Sequence, residues 1–418
     1  MPHADIFAED LCVRYFLNLL RWQIVALVVC GVTAGHAQDE IAFSRTFVTG
    51  KNILVRGGLP NARLRFDRQK QGHVAFIGGS ITEMPGYRPR VCRVLTEQFP
   101  DTKFTFTAAG ISSTCSTTGA FRLHRDVLAK GPVDLFFIEF AVNDDQDAGH
   151  TRTACIRGLE GIVRQTRRHN PHAEMVITYF VNPGMLSKLQ RGEVPVSIAA
   201  HEEVAKHYQI PTIFLAQEVA DQIAAGKLSW QQYGGTHPKP FGNSVCATMI
   251  ERLFQTTWNR APGELQRHDL PKMLDAFSYA RGRFLPLPAA ELPQGWQFHR
   301  PEWDKLPGNC RTRFRQAKLL CAHNLAQPLQ VRFSGTAIGA YLLAGPDSCN
   351  VSYTIDGQRS QKPLMTYHRF SKGLHYPRTV MFAEDLQEGQ HTLILQPVPE
   401  GEADGRGAAL RILALVAN

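Results

Sequence analysis

Between His73 and Trp258 the apolar positions follow two alternating rhythms. Short apolar runs occur in HVAFIGGSIT (73–82), FTFT (104–107), VDLFFIEF (133–140), EMVITYF (174–180) and IPTIF (210–214). Their length and their aromatic and β-branched content predict buried strands. Between them, Val91, Val94, Leu95 and Phe99 recur at helical spacing over 87–99, and Ile156, Leu159, Ile162 and Val163 do so over 153–168. Pro100 and Asp101 stop the first of these helices. Further helices are predicted near 119–129, 197–208, 216–225 and 241–258. Such alternation predicts an α/β domain with a central parallel sheet covered on both faces.

Three of the predicted strands end in residues suited to chemistry. The first runs into two glycines and Ser80, the second into AAGISS (Ala108 to Ser113), the third into EFAVNDD (Glu139 to Asp145). Ligands of open α/β sheets bind at the carboxyl edge of the strands. Ser80, Gly110 and Asn143 are therefore expected at one edge, although a glycine pair and a serine are also what a plain turn into a helix requires. A serine hydroxyl is a poor nucleophile until a base accepts its proton. His237, in a TxHP ahead of the last helix, is the candidate base. Charge growing on a carbonyl oxygen needs preorganised donors, each worth about 10² to 10³ in rate, and Asn143 offers one without carrying charge.

These four blocks, spread over residues 73–258, resemble the SGNH hydrolases, the GDSL-type esterase and lipase superfamily. The resemblance implies a flavodoxin-like three-layer α/β sandwich in which Ser80 and His237 are catalytic. It also implies an oxyanion hole built from the amides of Ser80 and Gly110 and the side chain of Asn143, with no metal or organic cofactor. Three positions depart from the family pattern. Gly79 replaces the aspartate of GDS and Ala141 the glycine of GxND; neither position carries the nucleophile or a donor. The third departure bears on catalysis, because Gly234 stands where DxxH places the aspartate that orients the histidine. Losing that carboxylate without a substitute costs several orders of magnitude. The Gly234 carbonyl, Asp144 and Asp145 are the candidates to replace it; spacing does not choose among them, and Asp144 reads more readily as a residue that braces its loop.

The chain has 418 residues, 44% of them hydrophobic, which is ample for packed cores and suggests two or three domains. Its net charge of +9 is scattered. The densest basic cluster, Arg164, Arg167, Arg168 and His169, falls late in a predicted helix, where positive charge complements the helix dipole and a solvated face is expected. Nucleic acid is not indicated as a partner, while the basic surface leaves anionic polysaccharides open as ligands.

Arg14 and Arg21 precede the apolar stretch Trp22 to Val32 and the small residues Ala34, Gly35 and Ala37. This predicts a signal peptide over 1–37, cleaved after Ala37, and hence a secreted or periplasmic protein. The apolar stretch is too short for an ordinary membrane span, so no integral membrane domain is expected after cleavage. Of nine cysteines, Cys12 and Cys30 fall in this leader and seven remain. Cys310 and Cys321, close in sequence in a loop-rich region, are expected to form a disulfide, and Cys115 is expected to be a packed side chain.

The catalytic domain is expected over 38–258, with Val181 to Pro195 as a rim loop and with Trp230 and Tyr233 either stacking on a sugar or packing locally. Residues 259–305, rich in proline and arginine, read as a linker with one helix near 270–279. Beyond it, LQVRFSG, AIGAYLLAG, CNVSYTIDG, TVMFAEDL, HTLILQPV and ALRILALVA alternate at strand spacing between turn residues, predicting a β-sandwich domain over 306–418. The stretch FSGTAIGAYLLAGPDSCNVSYTIDG is similar to carbohydrate-binding jelly rolls; Tyr367, His368, His375 and Tyr376 are candidates to line a sugar surface. The function these readings converge on is an exported serine esterase acting on an acylated carbohydrate, with acetyl the expected group. The alternatives are a polysaccharide-binding protein with a degenerate SGNH domain and a sugar O-acyltransferase.

Overall fold

The computed structural model describes residues 48, 50–259, 263–287, 292–323, 326–398, 407 and 409–418. The expected leader, with Cys12 and Cys30, lies outside them. The N-terminal domain is built on a six-stranded sheet of β1 (Ile53–Leu54), β2 (Gln71–Gly78), β3 (Lys103–Gly110), β4 (Leu135–Glu139), β5 (Glu174–Thr178) and β6 (Thr212–Ile213). The strand order is β1-β6-β5-β4-β2-β3, parallel throughout except for the edge strand β1. All of β4 and β5 is buried, which is why those runs read as continuously apolar rather than alternating. Phe76 and Phe137 stack across neighbouring strands at 4.9 Å in its core. Helices at 87–98, 116–126, 152–169, 196–207, 215–224 and 240–257 follow the predicted ones closely.

The C-terminal domain is a β-sandwich, as predicted. Its strands are β7 (Arg283–Leu285), β8 (Trp296–His299), β9 (Leu319–His323), β10 (Leu329–Gly335), β11 (Ile338–Ala344), β12 (Asn350–Ile355), β13 (Gln358–Arg359), β14 (Tyr376–Ala383), β15 (Gly389–Val398) and β16 (Ala409–Ala417). One antiparallel sheet has the order β10-β15-β12-β13; the other has β14-β11-β16-β9-β8, with β7 also on β16. Two of these strands, β7 and β8, come from the stretch expected to be a linker, so that stretch is partly sandwich. The two domains share buried packing: Ala337, Tyr341 and Val416 of the sandwich join the N-terminal core. A smaller core gathers Ile111 from the loop after β3 with Trp303, Phe314 and Leu343.

Four expectations are corrected. Cys310 and Cys321 are both free thiols; they are buried in that smaller core, and burial pushes them up to about 11 and about 12. Residues 183–190 form a helix, not a rim loop: Asn182 accepts the Met185 N–H at 2.8 Å and Pro183 fills the first helical turn. No helix forms at 270–279. The basic cluster is a solvated face only at Arg168 and His169. Arg164 and Arg167 are buried, donating to the Pro271 and Asp269 carbonyls at 2.6 and 2.9 Å, and Arg168 donates to Ala280 O at 2.8 Å. These arginines fasten the segment between the domains to the long helix 152–169. Among the described residues no helix is long and apolar enough to cross a membrane.

Candidate active site

Strand β2 pairs with β3 on one side and β4 on the other, so the strand order reverses around it. Sheets of this kind open a crevice at such a switch point, beyond the carboxyl ends of the strands. Ser80 follows the end of β2, Gly110 ends β3, and Asn143 lies four residues past β4. A fully buried arginine ties the first two ends together: Arg122 donates to Ala109 O at 2.7 Å and Gly78 O at 3.1 Å. Ser80 opens a one-turn helix, Ser80–Glu83, and is partly exposed.

His237 arrives from the opposite end of the domain on an exposed turn. Ser229 caps the preceding turn, Trp230–Tyr233, by a capping box with Gln232, and Asn243 holds the following one by donating to Pro238 O at 2.6 Å. The result places His237 Nε2 2.8 Å from Ser80 Oγ, within reach for proton transfer.

Among the described residues no acceptor hydrogen-bonds His237 Nδ1. None of the three candidates to orient it hydrogen-bonds it. Gly234 sits at φ 108°, and a Cβ there would lie 2.1 Å from Lys239 N. The turn that carries His237 therefore has no room for an aspartate at that position, which accounts for the glycine. Asp145 accepts from Asn182 Nδ2 at 2.8 Å. Asp144 is fully buried and accepts Ser116 N at 2.8 Å, Ser116 Oγ at 2.7 Å and His201 Nε2 at 2.9 Å. Burial opposes its charge, but the charge of His150 and the hydrogen bond and charge of His201 outweigh this and hold the carboxyl well below the usual range. Asp144 thus braces its turn. With Cys115 and His150, and again with Cys155 and His201, it brings metal-ligand atom types within 4.8 Å of one another. Its oxygens already accept from Ser116 and His201, while His150 Nδ1, buried and without a hydrogen-bond partner, stands 3.5 Å from Oδ1.

Asn143 is buried. Its Nδ2 donates to Asp147 Oδ2 at 2.8 Å, and its Oδ1 has no hydrogen-bond partner. The side chain lies directly over Gly79: a Cβ at residue 79 would be 1.9 Å from Asn143 Oδ1. The glycine that replaces the family's aspartate is thus required by contact with the asparagine. Beneath them Glu139 is completely buried and accepts from Thr82 Oγ1 at 3.0 Å. Burial, against the lowering effect of hydrogen bonds from Thr82 and the Gly79 amide, pushes its carboxyl up to about 7.

The sandwich domain reaches this edge at several points that sequence reading missed. Arg313 donates to Glu83 Oε1 at 2.9 Å and to Gly110 O at 3.2 Å; Arg311 donates to Ser112 O at 2.9 Å. Burial works against the Glu83 charge, yet hydrogen bonds from Ser112 and Arg313 hold that carboxyl below its ordinary value. Tyr376 OH donates to Asp147 Oδ1 at 2.6 Å. Of the four aromatic candidates for a sugar surface, His375 and Tyr376 are buried instead, and His375 packs edge-on against Trp303. Tyr233 is also buried, stacked against Trp230 at 5.5 Å. Tyr367 and His368 line an open groove of 720 Å³ between the domains, together with Asp145, Asp147 and Asn182.

A parallel sheet whose switch point carries a serine, a histidine and an asparagine is the arrangement that the resemblance to SGNH hydrolases implies. Residues 76–245 match the model of the GDSL-like lipase/acylhydrolase family. No curated protein matches the chain. Among solved structures, a two-domain esterase, CEX, active on acetylated mannans, superposes with TM-score 0.71 at 19% identity in its crystal with mannopentaose. That match covers 88% of this chain and 97% of that one. A second crystal structure of CEX gives TM-score 0.70 at 19% identity, covering 88% of this chain and 98% of that one. The likeness establishes that the two-domain arrangement is a shared fold.

Proposed function

We propose that this protein is a carbohydrate esterase that removes small O-acyl groups, acetyl above all, by a Ser80–His237 mechanism. The observation that carries the reading is the 2.8 Å contact between Ser80 Oγ and His237 Nε2, at the edge where Gly110 and Asn143 also end. Ser80 Oγ attacks the acyl carbonyl and its proton passes to Nε2. The oxyanion that forms is bound by the amides of Ser80 and Gly110 and by Asn143 Nδ2. His237 then returns the proton to the departing sugar alkoxide, and water repeats the sequence to release the acid. Because the imidazole is exposed, water solvates the charge on its Nδ1 side, and the site works as a dyad.

The carbohydrate assignment is supported by the fold shared over both domains with an esterase of acetylated mannans, and by the groove between the domains. Export fits a polymeric substrate and rests on the basic and apolar pattern of the first 37 residues. Incubating the protein with acetylated manno-oligosaccharides tests the reading. Free acetate and deacetylated oligosaccharide are expected from the native protein and not from Ser80→Ala. Binding without acetate release by either protein would replace this reading with that of a glycan-binding protein, which the missing aspartate favours. Acetyl transfer to an added sugar without free acetate would make it a transferase.

A further inference from the structure

We propose that Asp147 is a positioning residue for the oxyanion donor Asn143, and that Tyr376 of the sandwich domain holds Asp147 in place. The C-terminal domain then takes part in setting the geometry of the reaction. This rests on the reading of Asn143 given above.

Asn143–Asp147 is a single tight turn after β4, closed by Ala148 N on Asn143 O at 2.9 Å. Its two ends meet through side chains, Asn143 Nδ2 donating to Asp147 Oδ2 at 2.8 Å. An amide nitrogen has two hydrogens. Committing one to a carboxylate fixes which end of the amide is nitrogen and leaves the other hydrogen for an acceptor in the crevice. Nothing restrains the amide from its other end, since Asn143 Oδ1 is buried with no partner. Without Asp147, rotation about the last side-chain bond would turn a carbonyl oxygen toward a developing oxyanion.

Asp147 is in turn held from both sides: Gln146 Nε2 of its own turn donates to Oδ2 at 3.3 Å, and the sandwich domain holds the other oxygen and the backbone. Tyr376 OH donates to its Oδ1 at 2.6 Å, and His368 Nε2 donates to its backbone oxygen at 2.8 Å. Arg369 donates to the neighbouring Gln146 oxygen. His368, which caps the turn 369–372, and Tyr376, which opens β14, stack at 4.5 Å with an interplanar angle of 14°, so the two donors support each other. The chain of contact therefore runs from the sandwich through a carboxylate to the asparagine amide.

The test uses the full chain with an aryl acetate, measuring kcat and KM for Asp147→Ala and Tyr376→Phe in the native and the Asn143→Ala backgrounds. Misplacing a reacting group by about 1 Å can cost about 10² in rate. Asp147→Ala is expected to lower kcat about tenfold or more with KM within about twofold. Tyr376→Phe, which keeps the ring stack and so the fold, should lower kcat by a smaller factor. Both effects should vanish once Asn143 is alanine, a result that a merely structural role would not give. Equal losses in both backgrounds, or native kcat in Asp147→Ala, would overturn the proposal while leaving Asn143 its role. Native kcat in Asn143→Ala would overturn the oxyanion reading and this proposal with it.

Discussion

Ser80→Ala is expected to lower kcat/KM for an aryl acetate by about 10⁴-fold or more, and His237→Ala by a comparable factor. The two losses should not add. With the hydroxyl gone the imidazole has nothing to deprotonate, and with the imidazole gone the hydroxyl is a weak nucleophile. The double variant should therefore sit close to either single variant. Both side chains lie at the surface, so thermal stability should change little. Additive losses in the double variant would mean that the 2.8 Å contact between the two groups is not the one used in catalysis.

Gly79→Asp restores the residue that GDS-type sequences carry, and here it is expected to damage the enzyme. Its Cβ would lie 1.9 Å from Asn143 Oδ1 and 2.5 Å from Cγ, so the asparagine must leave its place. The added carboxylate would also stand beside Glu139, which burial already keeps from ionising below about 7. Losing one oxyanion donor costs about 10² to 10³ in kcat, and forcing extra volume into a packed site costs about 1–3 kcal/mol. A fall in kcat of at least that size, with a measurable fall in Tm, is the expected result. In an Asn143→Ala background the substitution should cause little further loss, because its clash partner is gone. Undiminished activity in Gly79→Asp would show that Asn143 does not need its observed position.

The edge proposed to be catalytic was legible because most of it is built from short segments that follow parallel strands. A continuous apolar run identifies β2 or β4, and the first small or polar residues beyond it mark the ligand-binding edge. Ser80, Gly110 and Asn143 carried this signal, and His237 carried another, its TxHP ahead of the last helix. What escaped is set by contacts distant in sequence. Residues 270–279 have helical spacing, yet the backbone N–H groups of Leu274 and Asp275 go to the buried Glu160 carboxylate at 2.8 and 3.2 Å. A tertiary partner thus replaced the helical carbonyls. Arg164 and Arg167 looked like a solvent face because their partners are backbone carbonyls, which leave no mark on composition. Strands β7 and β8 are only three and four residues long and sit among prolines, so their alternation is too brief to read. The helix at 183–190 did have a local signal, Asn182 followed by Pro183. The second tier of the site, Arg122, Asp147, Arg313 and Tyr376, had none, since each acts across more than one element.

The absence of an orienting aspartate shows how sequence and structure divide the explanation. The sequence shows a glycine at 234; the structure adds that its φ of 108° and the approach of Lys239 N exclude any larger residue. A dyad open to solvent gives up the imidazolium stabilisation a buried carboxylate provides. In the proposed mechanism the oxyanion donors then carry a larger share of the rate, and the proposed fastening of Asn143 from the second domain gains weight.

Covalent capture reads out whether Ser80 is a nucleophile activated by His237. The native protein is treated with a fluorophosphonate and the modified peptide is mapped by mass spectrometry. Stoichiometric phosphonylation of Ser80, slowed at least about a hundredfold in His237→Ala, is the result this account predicts. Labelling at another serine, or equal labelling of Ser80 with and without the imidazole, would contradict it.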